Sequence, residues 1–172
     1  MKKLLLILCI FAIAVAPMFA ADKGHLSVNA KMELYNPPGD DLIAPMFTVQ
    51  ARYRLSAFLA LVGNASWTKY EISDNDVTFV PVAIDGELHP LGRKTFDPYI
   101  GVGLGANYRQ VESLDPELNI GANLLGGLVW NPEGHFGVDV SVKYRIEDIA
   151  NPGDTGSWSF GGGVTGSWET DL

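Results

Sequence analysis

The chain has 172 residues, with 20 Asp and Glu against 12 Lys and Arg, 19 Gly, 10 Pro and one Cys, and a formal net charge of −8. So acidic a balance argues against nucleic acid as a partner, because phosphate backbones are bound by clustered Lys and Arg. After the first twenty residues no stretch reaches the 18 apolar residues that a membrane-spanning helix needs.

The chain starts with Lys2 and Lys3, then an apolar run over 4–15, then a small-residue stretch ending at Ala20 and Ala21. This is the pattern of a secretory signal peptide, and the apolar run is too short to span a bilayer. Cleavage after Ala20 makes residues 1–20 the signal and leaves residues 21–172 as one exported domain. Removal of Lys2 and Lys3 takes the mature charge to 10 − 20 = −10. Removal of Cys9 leaves no cysteine for a disulfide, a thiolate metal site or a thiol nucleophile.

The remainder reads as eight runs of alternating side chains: 26–35, 45–55, 58–70, 77–89, 96–109, 118–130, 136–147 and 157–169. Alternation with period two is the signature of a half-buried strand. The breaks between the runs are rich in Pro, Gly, Asn and Asp, as in Asn36-Pro37-Pro38-Gly39-Asp40-Asp41 and Asn151-Pro152-Gly153-Asp154. The first run sets Leu26, Val28, Ala30, Met32 and Leu34 against Ser27, Asn29, Lys31, Glu33 and Tyr35. The fifth sets Ile100, Val102, Leu104, Ala106 and Tyr108 against Gly101, Gly103, Gly105, Asn107 and Arg109. The seventh is the cleanest: Phe136, Val138, Val140, Val142, Tyr144 and Ile146 share one face, and Asp139, Ser141, Lys143, Arg145 and Glu147 the other. The third and fourth runs are less regular, with Leu59 and Leu61 competing with Phe58 and Val62, and Phe79 sharing parity with Asp85 and Glu87.

Eight such strands close either around an apolar core, as in a soluble lipocalin-type barrel, or around a polar lumen in a membrane. Two features favour the membrane. The polar faces carry Gly, Ser, Asn and charges of both signs; glycine suits a crowded lumen and weakens a solvated strand. Aromatic residues sit towards strand ends: Trp158 and Trp168 share a face ten residues apart. At ~3.3 Å per residue and a tilt near 40° that is about 25 Å, the height of an outer-membrane apolar band. The expected aromatic girdle is Tyr108, Trp130, Phe136, Tyr144, Trp158 and Trp168. The expected lumen network is Lys31, Glu33, Arg52, Arg54, Asp85, Glu87, Arg109, Asp139, Lys143, Arg145, Glu147 and Glu169. Of these, Arg52, Arg54, Glu87, Asp139 and Glu169 fall in the periplasmic half by their place along the strands. An even strand number puts both termini on the periplasmic side. Segments 36–44, 71–76, 110–117 and 148–156 then face outward, and 56–57, 90–95 and 131–135 face the periplasm.

Asp97-Pro98-Tyr99-Ile100-Gly101-Val102-Gly103-Leu104-Gly105 resembles the R-P-Y-x-G-x-G-x-G strand of the small outer-membrane β-barrel family, which includes OmpX-like, opacity-protein-like and OmpA-transmembrane-type barrels. Asp97 stands where that strand usually has a basic residue. Gly137-Val138-Asp139-Val140-Ser141-Val142-Lys143-Tyr144-Arg145 resembles the family's G-x-x-x-x-x-x-Y-R penultimate strand. The resemblance implies an eight-stranded antiparallel up-and-down transmembrane β-barrel in the outer membrane of a diderm bacterium. It also implies outer-membrane lipid and lipopolysaccharide as its surroundings and the barrel-assembly machinery as a partner during biogenesis. The family tends to end in an aromatic residue; this chain ends Trp168-Glu169-Thr170-Asp171-Leu172.

For function, the polar lumen reads as a structural plug, because an eight-stranded interior is just wide enough for side chains to fill it and charges there must be paired. The outer segments offer a surface for recognition. The alternatives are a narrow or gated path for small or hydrophobic solutes, with Pro45 and Pro81 as places for a wall defect, and the soluble lipocalin-type carrier. No enzyme is expected. His25-Leu26-Ser27 matches the His-x-Ser pair of a lipid A deacylase, but lies at the periplasmic end, away from lipid A. His89 and His135 read as solvated turn residues. Asp40-Asp41 and Asp74-Asn75-Asp76 read as solvated turns rather than Ca²⁺ sites. No cofactor or metal is expected, and the barrel is expected to be a monomer.

Overall fold

The computed structural model describes residues 24–170 except 40, 73–74, 93, 113 and 133–134, and describes only the backbone of residues 24, 169 and 170. The expected signal segment, Asp40, Asp74 and the side chain of Glu169 therefore lie outside the described residues.

Eight strands follow one another: β1 Gly24–Asn36, β2 Ala44–Arg54, β3 Leu59–Ile72, β4 Asn75–Leu88, β5 Phe96–Val111, β6 Glu117–Trp130, β7 Phe136–Ile146 and β8 Gly156–Thr170. Each pairs antiparallel with the next, and β8 pairs with β1 through His25↔Glu169, Lys31↔Gly163 and Asn36↔Trp158, which closes the barrel. Closure gives every strand two neighbours and leaves no edge for other chains to pair with. Between β2 and β3 the Ser56 hydroxyl accepts hydrogen bonds from the N–H groups of Phe58 and Leu59 at 3.2 and 3.1 Å. Between β4 and β5 the chain turns at Gly92, whose φ of +67° suits a residue without a Cβ.

The alternating runs become strands with ends shifted by one or two residues. The largest difference lies at 71–76, expected as a loop. There β3 and β4 keep pairing through Glu71↔Asp76 and Ile72↔Asn75, so the connection is only residues 73–74. Polar residues at the tip read as turn, yet the hairpin ladder continues beneath them.

Orientation is settled by the seventh and eighth strands. Val140, Val142 and Val164 are 42%, 43% and 67% exposed, whereas Lys143 and Arg145 are 5% and 3% exposed. The apolar face is outside and the charged face inside, opposite to a lipocalin-type barrel. Two local features shape the wall. Inward glycines make room for large neighbours, as at Gly161, where an added Cβ would lie 2.7 Å from Glu33 Cγ. The β3–β4 ladder skips two pairs between Ala65↔Val82 and Thr68↔Phe79, where Pro81 has no N–H to offer.

Candidate functional site: the filled lumen

Inward residues of β1, β2 and β5 meet on the carboxylate of Asp139 on β7, which is fully buried. Its Oδ1 accepts from Lys31 Nζ at 2.9 Å and Tyr99 OH at 2.8 Å; its Oδ2 accepts from Asn29 Nδ2 at 2.9 Å and Arg52 Nη2 at 3.1 Å. Those four bonds use the carboxylate's four lone-pair sites. Arg52 also donates from Nε to Glu87 Oε2 at 2.6 Å and from Nη2 to Oε1 at 3.2 Å, and its guanidinium rests 4.8 Å from the Tyr99 ring centroid. This fork-to-fork geometry is what allows charges to persist out of water.

The chain of contacts continues to the barrel end that carries the termini. His89 Nε2 lies 3.2 Å from Glu87 Oε2 and its Nδ1 lies 3.0 Å from Asp97 Oδ1, while Arg54 is paired with Asp97. Burial would lower the imidazole's pKa, but its hydrogen bonds to the Asp97 and Glu87 carboxylates outweigh that and raise it above the ordinary value. A second cluster is centred on Asp85, which accepts from Asn64 at 2.6 Å, Asn123 at 3.0 Å and Lys143 at 3.4 Å.

The opposite end is closed by a cluster of rings with charges packed against it. Tyr35, Met46, Tyr70, Val77 and Phe79 form one buried cluster, with Tyr35 5.9 Å from Tyr70 and 5.4 Å from Phe79 between centroids. The guanidiniums of Arg109 and Arg145 lie 5.5 and 5.7 Å from the Phe79 ring. Glu147 accepts from both Tyr35 and Arg109.

The structure places every described member of the expected lumen set on the inward face. It brings Lys31, Arg52, Glu87 and Asp139 together, Asp85 with Lys143, and Arg109 with Glu147. Glu33 and Arg145 are brought to no ion pair among the described residues, and Glu33 Oε2 has no hydrogen-bond partner. The expectation that His89 is solvated is overturned: its side chain is fully buried and contacts Glu87 and Asp97, while its backbone N–H donates to Phe58 O at 2.7 Å. His135 is exposed. Asp76, expected in a solvated turn, pairs with Lys69. Sequence reasoning missed Asn29, Tyr99, Asp97, Asn64 and Asn123; all but Asn64 share the parity of the charges on their own strands, whereas the β3 charges, Lys69 and Glu71, lie on the outward face.

Outside, Trp130, Phe136, Trp158 and Trp168 are exposed, and Tyr108 and Tyr144 half-buried. Three outward ring pairs bridge neighbouring strands near their ends: Phe47–Trp67 at 6.5 Å, Phe96–Trp130 at 6.3 Å and Tyr144–Trp158 at 4.6 Å. Phe47, Trp67 and Phe96 were not in the expected girdle. Between the rings lie aliphatic residues such as Ile100, Val102, Leu104 and Leu124, all more than half exposed.

No protein-family model and no curated protein matches the chain. Among solved structures it is similar to the Neisserial surface protein A, at 15% identity and a TM-score of 0.68, covering 83% of this chain and 96% of that one. It is also similar to OprG, an outer-membrane protein of Pseudomonas aeruginosa, at 11% identity and a TM-score of 0.61, covering 87% and 97%. Ail, the attachment invasion locus protein of Yersinia pestis, gives 17% identity and a TM-score of 0.59, covering 86% and 99%. By fold, the chain is a small eight-stranded β-barrel of the outer-membrane type.

Proposed function

We propose that the protein is an integral outer-membrane barrel whose lumen is a plug of side chains and whose role is structural or surface recognition, without enzymatic activity. The observation that carries this reading is the inversion of polarity: an exposed aliphatic band between aromatic pairs surrounds an interior of satisfied ion pairs. Such an outer surface suits hydrocarbon flanked by headgroups, with rings at the two interfaces. The lumen is blocked at mid-height, where Asp139, Arg52 and Tyr99 meet across it, and the Tyr35–Phe79 cluster closes the far end. In this reading the barrel is a monomer, set among outer-membrane lipid and lipopolysaccharide and inserted by the barrel-assembly machinery. Membrane fractionation with gel mobility before and after boiling tests the location; a soluble periplasmic band overturns it. Planar-bilayer recording of the wild type and the Arg52→Ala/Arg54→Ala double variant tests the plug. A silent wild type and a less stable, silent variant are expected, and steady wild-type conductance overturns it.

A second reading, a carrier for small or hydrophobic solutes, is favoured by one observation, the two skipped β3–β4 pairs at Pro81. It needs that seam to part, whereas the hydroxyls of Thr48 and Ser66, 2.8 Å apart, tie β3 to β2 at the same level.

A further inference from the structure

The barrel end that carries the termini is not filled flush. A cavity of about 230 Å³ opens there, above the Arg52 guanidinium. Its described charged lining is Arg52, Arg54 and Lys94 against the single carboxylate Asp97, in a chain whose formal net charge is −8. Arg52 is spent on Glu87 and Asp139, and Arg54 is shared with Asp97, but Lys94 stands exposed at the rim with no ion pair among the described residues. The rest of the lining is the hydroxyls and amide of Ser27, Thr95, Thr165, Ser167 and Asn131, with the imidazole of His25 and the apolar Val129. Asn131 donates from Nδ2 to Ser167 at 3.4 Å, and its buried Oδ1 has no partner among the described residues. A cavity this size falls below the range of drug-sized pockets and suits a molecule of about one sugar ring.

We infer that this mouth is a binding site for a small hydroxylated carboxylate of the sugar-acid class. The cations of Arg54 and Lys94 face the carboxylate, and the ring of hydroxyls and the Asn131 amide face the ligand's hydroxyls. A guanidinium attracts a carboxylate, as Arg54 already shows by donating from Nη2 to Asp97. Hydroxyl side chains also accept hydrogen bonds, a capacity that a ligand's own hydroxyls use and a fully ionised anion does not. The inference goes beyond the plug reading and stands whether or not the lumen conducts.

The test uses ¹⁵N-labelled protein refolded in detergent micelles and titrated in turn with D-glucuronate, D-glucose and inorganic phosphate. Saturable shifts of the Thr95 and Ser167 amides with millimolar glucuronate are expected, with glucose and phosphate each at least tenfold weaker. Lys94→Gln, exposed and unpaired, leaves the fold intact and weakens glucuronate about three- to fivefold, the share of one exposed charge. Arg54→Gln removes binding, and the Lys94 variant covers the case in which loss of the Asp97 partner unfolds the mouth. Absence of glucuronate shifts, shifts confined to the opposite-end loops, equal binding of phosphate, or full affinity in Lys94→Gln each overturns the inference.

Discussion

Gly103 on β5 lies directly against Asp85 on β4: a methyl at Gly103 would overlap the Asp85 carboxylate and come 2.8 Å from its Cα. The glycine is therefore the space in which the acid sits to receive Asn64, Asn123 and Lys143. Gly103→Ala is expected to destabilise the barrel by about 1–3 kcal/mol, the usual cost of overpacking. Gly86, on the outward face of β4, has nothing closer than 3.9 Å to an added Cβ, so Gly86→Ala is neutral or slightly stabilising. Urea-unfolding midpoints in detergent check the pair; equal midpoints for the two variants refute the packing account.

Asp139 supplies the charge that keeps Lys31 and Arg52 buried. Asp139→Ala takes from Lys31 its one ion-pair partner among the described residues and from Arg52 one of two, and is expected to cost about 3–5 kcal/mol, as for a buried pair broken on one side. Asp139→Asn costs less, because its remaining amide oxygen still accepts from Lys31 or Arg52, while Ser141 at 2.9 Å and Glu87 hold those cations in either variant. Heat-modifiable gel mobility read against temperature ranks wild type, Asn and Ala in that order; an Ala variant as stable as wild type removes Asp139 from its central place.

At Pro81 the wall lacks ladder bonds. Pro81→Ala returns an N–H to β4 facing β3, and a net hydrogen bond is worth roughly 0.5–1.5 kcal/mol, part of it offset by the greater backbone freedom of alanine when unfolded. A gain of up to about 1 kcal/mol is expected, with slower amide exchange at Ser66, which lies opposite position 81 in the β3–β4 register. Under the carrier reading the same variant also lowers uptake of a hydrophobic solute into liposomes, whereas under the plug reading uptake is absent before and after.

Much of this was legible because lipid and lumen impose opposite chemistry on alternate residues. The Val138–Val140–Val142 and Asp139–Ser141–Lys143 rows of β7 state the orientation without any coordinates. What alternation cannot give is which inward side chains meet. Tyr35 and Phe79 are 44 positions apart, and their stacking depends on barrel radius and stagger, which no single strand records. Their parity with Lys31, Glu33 and Glu87 was visible, but an aromatic on a polar face reads as an irregularity until the opposite wall is in place. His89 was misread for a related reason: it lies beyond the last residue of β4, where turns are solvated by default, and only the Phe58 carbonyl and Asp97 from the next strand bury it.

His89 also makes the mouth sensitive to pH. Its Nδ1 lies 3.1 Å from Arg54 Nη2 as well as 3.0 Å from Asp97 Oδ1. A neutral ring can accept from the arginine, and a protonated ring donates to Asp97 while Nε2–H donates to Glu87. Burial opposes the charged form and so does the Arg54 charge, but the two carboxylate bonds prevail and the pKa is raised. A raised histidine contributes stability fully present below its unfolded value, near 6.5, and lost as pH climbs through its folded value. The stability advantage of wild type over His89→Gln is therefore expected to be largest near pH 5.5 and to shrink towards pH 9. Urea midpoints of both proteins across that range check the sign; an advantage that grows with pH shows that the neutral ring bound to Arg54 is the favoured state.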